Sequence, residues 1–419
     1  MNDSLDRISG AISQQRLWQR HMDLGAIGAT PRGGVNRLAL SAEDAQAQQL
    51  LLQWAFARGY QCCRDAIGNL FVRRQGLQSD AAPIMSGSHL DTQPTGGKFD
   101  GAYGVLAGLE VLEALDDAGI QTLRPIEVVA WMNEEGSRFV PGAMGSAVFA
   151  GTSRLEDMLG KIDRTGISVR DALALTADRY PAPERSPGAL RPAGYVEVHI
   201  EQGPRLENGA ATIGVVLGIQ GIRRLLVEVI GEEAHAGTTP RGQRKDAVSA
   251  AVALISALEK LCADVEDTVR FTVGRLDVLP NSPNTVPGKV TFTIDLRHPD
   301  EQRLTELGDR IHEVAQSAAF TRTCSTVVTN ISFVKPTIFA TEVIDLVRAA
   351  ATALHYPFME MPSGAGHDAM HLSHICPTGM VFVPCLHGIS HNESESATPE
   401  DLAAGARVLA RVILEMTNR

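Results

Sequence analysis

The sequence has few aromatic residues and no excess of basic charge. Aromatic side chains make up 5% of the 419 residues, and no basic stretch is interleaved with them, so the stacking platform of a single-strand nucleic-acid binder is missing. Lysine and arginine number 38 against 49 aspartate and glutamate, which gives a formal net charge of −11. A general nucleic-acid binder needs a basic face to displace counterions from phosphates, so this class is excluded too.

Long apolar runs and paired cysteine motifs are also missing. No run approaches the ~18 apolar residues of a membrane span, and the opening residues MNDSLDR do not begin a signal peptide. The six cysteines contain no C-x-x-C pair, which excludes zinc-ribbon and thioredoxin-type sites. We therefore expect a cytoplasmic protein with free thiols, and neither nucleic acid nor membrane as a partner.

Strand and helix patterns in the first part of the chain predict an α/β domain. An apolar strand over 83–88, a helix over 101–118 and a second apolar strand over 126–132 follow one another. This order is typical of a buried, largely parallel sheet covered by helices. A loop rich in proline, glycine and charge is predicted over 180–194.

A second domain is inserted into the first. After about Ile219 the predicted order becomes β-α-β-β-α-β, the ferredoxin-like pattern, with its second helix over 301–320. The α/β pattern then resumes near the C-terminus. The predicted architecture is an α/β domain interrupted by an α+β domain, with boundaries at 1–218 and 334–419 for the former and 219–333 for the latter.

Histidines and carboxylates recur where the predicted strands of the first domain end, which is where open α/β sheets bind their ligands. One such residue alone is more often an ordinary hydrogen-bonded side chain than a ligand. Recurrence at successive strand ends, with glycines between them, favours a divalent metal site. The residues concerned are His89, Asp91, Asp100, Glu134, Glu135, His199 and His391.

Long blocks of the sequence resemble one enzyme family. The blocks are GSHLDT at 87–92, GKFDG at 97–101, EEGSRF at 134–139, EVHIEQG at 197–203, HAGTTP at 235–240, SGAGHD at 363–368 and GISHN at 388–392. They resemble the di-metal amidohydrolases that cleave N-carbamoyl groups: N-carbamoyl-L-amino acid hydrolases, β-ureidopropionases and allantoate amidohydrolases. That family lies within the aminoacylase and dipeptidase group of metallopeptidases, and the resemblance covers nearly the whole chain.

The resemblance implies a site for two divalent ions in each subunit. His89 and His199 would hold one ion, Glu135 and His391 the other, and Asp100 would bridge both. Zinc and manganese both suit such ligands, with cobalt and nickel as further candidates.

Two further carboxylates have implied roles beside the ions. Glu134 would be the general base that takes a proton from the attacking water and returns it to the leaving nitrogen. Asp91 would orient the imidazole of His89 and fix its tautomer.

The inserted domain is implied to be a lid and dimerisation domain that contributes to substrate binding. His235 and Asn284 would reach the site of the partner subunit in a homodimer and polarise the scissile carbonyl. Arg297 would clamp a substrate carboxylate. From the residues alone, Arg297 could equally pair with Asp295 or Asp300, and His235 could be a turn histidine. Weaker candidates for holding the substrate are Gln202, Gly364 and His367.

The reaction implied is hydrolysis of a ureido C–N bond. An N-carbamoyl-L-amino acid, or N-carbamoyl-β-alanine, would give the amino acid, carbon dioxide and ammonia. An allantoate amidohydrolase, a dipeptidase or aminoacylase, and a non-catalytic binding protein are the alternatives. The last alternative would be marked by loss of Glu134 or of a ligand, and the sequence retains all of them.

Overall fold

The chain folds into two units in the computed structural model, which describes residues 2–176, 182–185, 191–265, 267–317 and 324–418. The first unit comprises Met1–Gly218 and Ile338–Arg419, and the second comprises Ile219–Thr337. The chain therefore returns to the first unit at Ile338, slightly later than the boundary expected at 334.

Helices and strands follow one another along the described residues. The helices are α1 (Asn2–Ala11), α2 (Gln14–Gly25), α3 (Ala42–Ala57), α4 (Ala102–Asp117), α5 (Met144–Ala150), α6 (Leu155–Leu159), α7 (Val169–Thr176), α8 (Arg205–Asn208), α9 (Ala247–Cys262), α10 (Glu301–Gln316), α11 (Thr341–Ala353), α12 (Ala369–Leu372) and α13 (Pro399–Thr417). The strands are β1 (Gln61–Arg64), β2 (Leu70–Arg74), β3 (Ile84–His89), β4 (Ile126–Trp131), β5 (Gly194–Ile200), β6 (Ile213–Ile219), β7 (Gly221–Ile230), β8 (Ala234–His235), β9 (Arg270–Leu279), β10 (Thr285–Val286), β11 (Lys289–His298), β12 (Ser325–Val334), β13 (Thr337–Ile338), β14 (Phe358–Ser363) and β15 (Thr378–Val383). Within this part of the chain, no helix combines the length and apolar character needed to cross a bilayer.

The first unit is built on a mixed sheet, which has nine strands among the described residues. Its order is β1-β2-β4-β3-β5-β15-β6-β13, and β14 pairs with β6. The central strands β4, β3, β5 and β15 run parallel. Strand β1 pairs antiparallel with β2, β2 with β4, and β6 with β15. The predicted α/β class is confirmed, but the parallel core is flanked by antiparallel strands.

The parallel strands are buried along their whole length, which explains why they read as nearly continuous apolar runs. Helices α4 and α13 pack on them, and α4 is itself buried from Ala102 to Leu115. Strand β5 runs from Gly194 to Ile200, so His199 lies on the strand and not after it. The carboxyl ends of β3, β4, β5 and β15 meet at one edge of the sheet.

The second unit has an antiparallel sheet in the order β12-β7-β11-β9, with α9 and α10 packed against it. This order is the one that a β-α-β-β-α-β chain adopts in the ferredoxin-like fold. Buried side chains such as Val227 and Phe292 alternate along the strands with more exposed ones and pack with Leu254 and Leu307 of the helices. Helix α10 ends at Gln316. The predicted helical residues 318–320, and residues 180–181 and 186–190 of the loop predicted over 180–194, lie outside the described residues.

Buried ion pairs join the N-terminal helices to α4. Glu110 is fully buried, and Arg16 donates to it from Nε and Nη2, each over 2.7 Å. The backbone N–H of Ser13 donates a third hydrogen bond over 2.7 Å. Burial raises the pKa of Glu110, and the contacts with Arg16 oppose that shift. Burial of this carboxylate therefore costs free energy, and both of its oxygens accept hydrogen bonds in the folded state.

We expect Glu110→Ala to lower the free energy of unfolding of the first unit by about 1.5–3 kcal/mol, the loss typical of hydrogen bonds to a charged group. The variant removes the bidentate partner of the mostly buried Arg16 guanidinium, while Glu113 and Asp117 stay in contact with it. Urea denaturation followed by tryptophan fluorescence measures this unit alone, because Trp18, Trp54 and Trp131 all belong to it.

The matched control is Asp117→Ala. Asp117 also pairs with Arg16, over 2.8 Å, but its side chain is 36% exposed. An exposed pair contributes only about 0–1 kcal/mol. Equal losses in the two variants would show that the buried pair has no special weight in the fold.

Candidate metal centre

Five predicted ligands come together at the carboxyl edge of the sheet. Two groups of side-chain nitrogen and oxygen atoms form there, and within each group all the atoms lie within 4.8 Å of one another. His89, Asp100 and His199 make the first group, and Asp100, Glu135 and His391 make the second. Asp100 is common to both.

The two oxygens of Asp100 face different histidines. Oδ1 lies 3.2 Å from Nε2 of His199 and 3.7 Å from Nε2 of His89. Oδ2 lies 3.3 Å from Nε2 of His391, which is also 3.4 Å from Oε2 of Glu135. This is the arrangement expected of a carboxylate that bridges two ions.

The tautomers of the two buried histidines are set by main-chain carbonyls. Nδ1 of His89 lies 2.8 Å from the main-chain oxygen of Asp91, and Nδ1 of His199 lies 2.9 Å from that of Ile200. A carbonyl oxygen only accepts, so Nδ1 carries the hydrogen and the neutral ring presents its Nε2 lone pair to Asp100. The N–H of Gly101 also donates to Nε2 of His199, over 3.1 Å.

In the neutral rings, lone pairs of Nε2 therefore face carboxylate lone pairs across 3.2–3.7 Å. Such acceptor pairs repel each other unless positive charge lies between them. Imidazole and carboxylate are also the donors that zinc and manganese take in proteins. The residues present thus fit the two divalent ions that the sequence resemblance implies.

Burial and the neighbouring charged side chains shift the pKa values of the three carboxylates at this site. Burial, together with repulsion from Asp368 and Glu135, raises the pKa of Glu134 well above its usual range. Burial and the neighbouring Asp100 raise the pKa of Glu135 to about 7. Despite burial, contacts with His199 and His391 hold the pKa of Asp100 well below its usual range.

The pKa values of the two histidines that face Oδ1 of Asp100 are shifted in opposite directions. Burial lowers the pKa of His89 to about 4. For His199 burial acts in the same direction, but the short contact with Asp100 outweighs it and raises the pKa to about 9. The site therefore concentrates negative charge in a buried place, and positive charge stabilises it.

Asp91 and Glu134 lie beside the two groups. The Asp91 carboxylate accepts hydrogen bonds from the backbone N–H groups of Glu134 and Glu135, each over 3.2 Å. The nearer contact of Asp91 with Nδ1 of His89 is made by its main-chain oxygen, over 2.8 Å, while the carboxylate oxygen Oδ1 lies 3.8 Å from the same nitrogen. Oε2 of Glu134 is 3.5 Å from Nε2 of His89, and Glu134 belongs to neither ligand group.

A third group of possible donors, formed by Glu197, His199 and His367, shares His199 with the first group. Ser88 Oγ donates to Oε1 of Glu197 over 2.8 Å, while Tyr195 Oη and the N–H of Ala369 donate to Oε2. Both oxygens of Glu197 are thus already bound by donors of the protein.

Three residues that the sequence marked for substrate binding lie in the first unit. Gln202 donates through Nε2 to Oδ2 of Asp100 over 2.9 Å, so its amide is engaged with a ligand. His367 is buried and packs edge-on against His199, with ring centroids 4.6 Å apart. Gly364 is exposed in the loop after β14.

Sequence reasoning missed the residues that hold the ligand carboxylates. Gln93 donates to Oε1 of Glu135 from its backbone N–H over 3.1 Å and to Oε2 from Nε2 over 2.7 Å. Ser390 donates through Oγ to Oδ2 of Asp100 over 3.1 Å, and Glu395 accepts a hydrogen bond from the backbone N–H of Asp100 over 3.0 Å. No residue type or spacing in the sequence distinguishes these positions; the nearest signal is that each lies within four residues of a predicted site residue.

Two candidates in the second unit expose hydrogen-bond donors. Nδ1 of His235 accepts from the backbone N–H groups of Gly237 and Thr238, over 3.0 and 3.1 Å, so the neutral ring carries its hydrogen on Nε2. Oδ1 of Asn284 accepts from Ser282 Oγ over 3.0 Å, which leaves its amide nitrogen as the donor. Both side chains are exposed, and β8 and β10 pair next to them.

The third candidate, Arg297, lies on β11 and is paired with Asp295. Its Nε donates to Oδ1 of Asp295 over 2.6 Å, and Arg224 donates to Oδ2 of the same carboxylate over 3.1 Å. The ion pair that the sequence left open as an alternative is thus present. Two guanidinium groups thus contact the same carboxylate.

The chain is similar to known amidohydrolases over nearly its whole length. A family model described as peptidase family M20/M25/M40 matches residues 85–415. An N-carbamoyl-L-amino-acid amidohydrolase of Rhizobium meliloti is 39% identical over 404 residues, 96% of this chain and 96% of that protein. An allantoate amidohydrolase of Escherichia coli is 34% identical over 406 residues, 97% of each. A hydantoinase/carbamoylase family amidase from Burkholderia multivorans, a crystal structure, is 44% identical with a TM-score of 0.90, and covers 97% of this chain and 98% of that chain.

We expect the two groups to bind ions separately, apart from their shared carboxylate. After chelation and reloading with Mn²⁺ or Zn²⁺, the wild type should hold two ions in each chain. Asp100→Asn should lose both, because Asp100 belongs to both groups, whereas His391→Ala should keep one. Elemental analysis after gel filtration measures the stoichiometry.

Circular dichroism of the same samples serves as the control for folding. Two tightly held ions in Asp100→Asn would contradict the bridging role. Loss of both ions from a folded His391→Ala would contradict the separation into two groups.

Proposed function

Because the chain belongs to peptidase family M20/M25/M40, we propose that it is a di-metal amidohydrolase that hydrolyses the ureido C–N bond of N-carbamoyl-L-amino acids. The products would be the amino acid, carbon dioxide and ammonia. The observation that carries the proposal is the position of Glu134, which lies beside two donor groups that share Asp100 and belongs to neither. The printed activity of the Rhizobium meliloti relative supports the choice of substrate.

The two groups would each hold a divalent ion, zinc or manganese, with cobalt and nickel as further candidates. Ions bound there supply Lewis acidity that polarises the scissile carbonyl and lowers the pKa of water. Glu134 takes the proton of the attacking water and delivers it to the leaving nitrogen. Asp91 keeps Glu134 in place by accepting hydrogen bonds from the N–H groups of Glu134 and Glu135.

The inserted unit would complete the site across a homodimer. His235 and Asn284 present N–H donors suited to a carbonyl oxygen. The planar guanidinium of Arg297 is suited to a carboxylate. In this proposal the inserted unit of one subunit serves the metal centre of the other. Free cysteines throughout the chain support a cytoplasmic location.

Allantoate is the second candidate substrate. The Escherichia coli allantoate amidohydrolase is 34% identical over nearly all of both chains. Allantoate also carries a ureido group and a carboxylate, so the same bond would be cleaved with the same residues. N-carbamoyl-β-alanine would place the carboxylate one carbon further from the ureido nitrogen.

The loaded enzyme should release ammonia from N-carbamoyl-L-amino acids with higher kcat/KM than from allantoate, dipeptides or N-acyl amino acids. Glu134→Gln should keep both ions and lose at least about 100-fold in kcat, because only proton transfer is removed. Ammonia release and elemental analysis on the same samples measure both effects.

Glu135→Gln is the matched variant, since it makes the same chemical change one residue away. It should lose an ion, because Glu135 belongs to the second group. Ion loss from Glu134→Gln but not from Glu135→Gln would exchange the two roles. Preference for allantoate would transfer the proposal to the second candidate.

Arg297→Ala should lower kcat/KM for N-carbamoyl amino acids at least about 30-fold, the lower end of a ~2–5 kcal/mol loss for a charged hydrogen-bonded pair. The kcat/KM of the same variant for the corresponding substrate amides, which lack the carboxylate, should fall much less. Arg224→Ala removes the other partner of Asp295 and serves as the control. Equal losses on charged and neutral substrates would remove Arg297 from the binding role.

Mixing Arg297→Ala with Glu134→Gln tests whether the clamp acts across the dimer. Random subunit exchange makes half of the dimers mixed, and each mixed dimer has one intact site, so about one quarter of the wild-type activity should return. Absence of rescue, with exchange demonstrated by mass spectrometry, would place Arg297 in the same subunit as the metal centre.

A further inference from the structure

Glu395 is a buried carboxylate near the metal centre that belongs to neither ligand group. Its Oε1 accepts hydrogen bonds from the backbone N–H groups of Phe99 and Asp100, each over 3.0 Å. Its Oε2 lies 2.9 Å from the hydroxyl of Ser390. One side chain thus connects the segment that carries Asp100 with the loop that carries His391.

Ser390 extends this connection to the carboxylate of Asp100. Its Oγ lies 3.1 Å from Oδ2 of Asp100, and Gln202 donates to both of these atoms, over 3.1 and 2.9 Å. A hydroxyl has a single proton, which it can give to Asp100 or to Glu395 but not to both at once. When the lone pairs of Asp100 Oδ2 turn to a cation, Glu395 remains as the acceptor for that proton.

The side chain of Glu395 packs directly against the main chain at Gly97, where there is no space for a Cβ atom. A Cβ atom at Gly97 would collide with Oε1 and Cδ of Glu395. Any side chain at position 97 would therefore push Glu395 away from the N–H groups of Phe99 and Asp100. This gives a physical reason for the second glycine of the GGKFDG segment.

We infer that Glu395 is a positioning residue for the metal centre: it fixes the main chain of Asp100 directly and the carboxylate of Asp100 through Ser390. These contacts fix the position of the Asp100 carboxylate relative to His391, which lies on the same loop as Glu395. This inference rests on the proposed metal centre and does not depend on which substrate is used.

The chemistry requires a carboxylate at this position, because all three partners can donate. An amide has only one accepting atom. In Glu395→Gln, the amide nitrogen must face either the two N–H groups or the Ser390 hydroxyl. In the first case both main-chain hydrogen bonds are lost, and in the second the hydroxyl loses its alternative acceptor.

The test is a comparison of Glu395→Gln with Glu393→Gln. Glu393 lies on the same loop, and its carboxylate contacts Thr30 and Arg32. Calorimetric titration of chelator-treated protein with Mn²⁺ should give 10- to 100-fold weaker binding for Glu395→Gln, the range known for residues that orient metal ligands. Glu393→Gln should stay within about threefold of the wild type.

Cobalt provides a readout that a general loss of stability would not move. The visible absorption bands of the Co²⁺-loaded protein report the ligand geometry, and they should shift in Glu395→Gln but not in Glu393→Gln. Wild-type affinity together with an unchanged cobalt spectrum in Glu395→Gln would overturn the inference.

Substitutions of Ser390 decide the matter if Glu395→Gln does not fold. Ser390→Ala should weaken Mn²⁺ binding, and Ser390→Thr, which keeps the hydroxyl, should restore most of it. Equal affinities in these two variants would overturn the inference. The wild type is titrated first, and its failure to bind any ion would overturn the proposed metal centre and this inference with it.

Discussion

The arrangement of the metal centre depends on one buried carboxylate whose two oxygens serve different partners. Asp100 reaches this position because its segment leads directly into α4, whose first residues pack beneath the ends of β3 and β5. Gly101 makes the approach possible: its φ is +65°, and a Cβ atom there would collide with the ring of His89. The parallel core of the sheet then brings His89 and His199 to the same edge, since the carboxyl ends of parallel strands lie side by side.

Uncharged groups hold the ligand carboxylates in place. Glu135 is bound by the backbone and amide of Gln93, and Asp100 by the amide of Gln202 and the hydroxyl of Ser390. Neutral donors restrict the orientation of a carboxylate without neutralising it, whereas a lysine or arginine would form an ion pair and compete with a metal ion. Burial and neighbouring carboxylates raise the pKa of Glu134, whereas contacts with His199 and His391 lower the pKa of Asp100 despite its burial. Rigid orientation and retained charge are both conditions for binding a divalent cation tightly.

Strand ends and the family resemblance were enough to predict the five ligands, because each lies in a distinctive block of sequence. They could not reveal Glu395, whose hydrogen bond to the N–H of Asp100 joins residues 295 positions apart. Glutamine is common throughout the chain, so Gln93 carries no signal until the fold places it next to a ligand. Ser390 lies in the GISHN block, but the block alone does not reveal its contact with Asp100. The same limit applies to the sheet: apolar runs predicted buried strands, but only pairing distinguishes the parallel core from the antiparallel strands β2 and β6.

The two units contribute opposite chemistry. The first gathers carboxylates, and the second exposes the hydrogen-bond donors of His235 and Asn284. A ureido carboxylate needs both, since its carbonyl is neutral and its carboxylate is not attracted by an acidic protein. In the proposed function His235 would suit the carbonyl, because two backbone N–H groups occupy Nδ1 and the neutral ring then carries its hydrogen on Nε2. Polarisation of a carbonyl by such a ring requires no added proton, and the donor is in place before the substrate arrives.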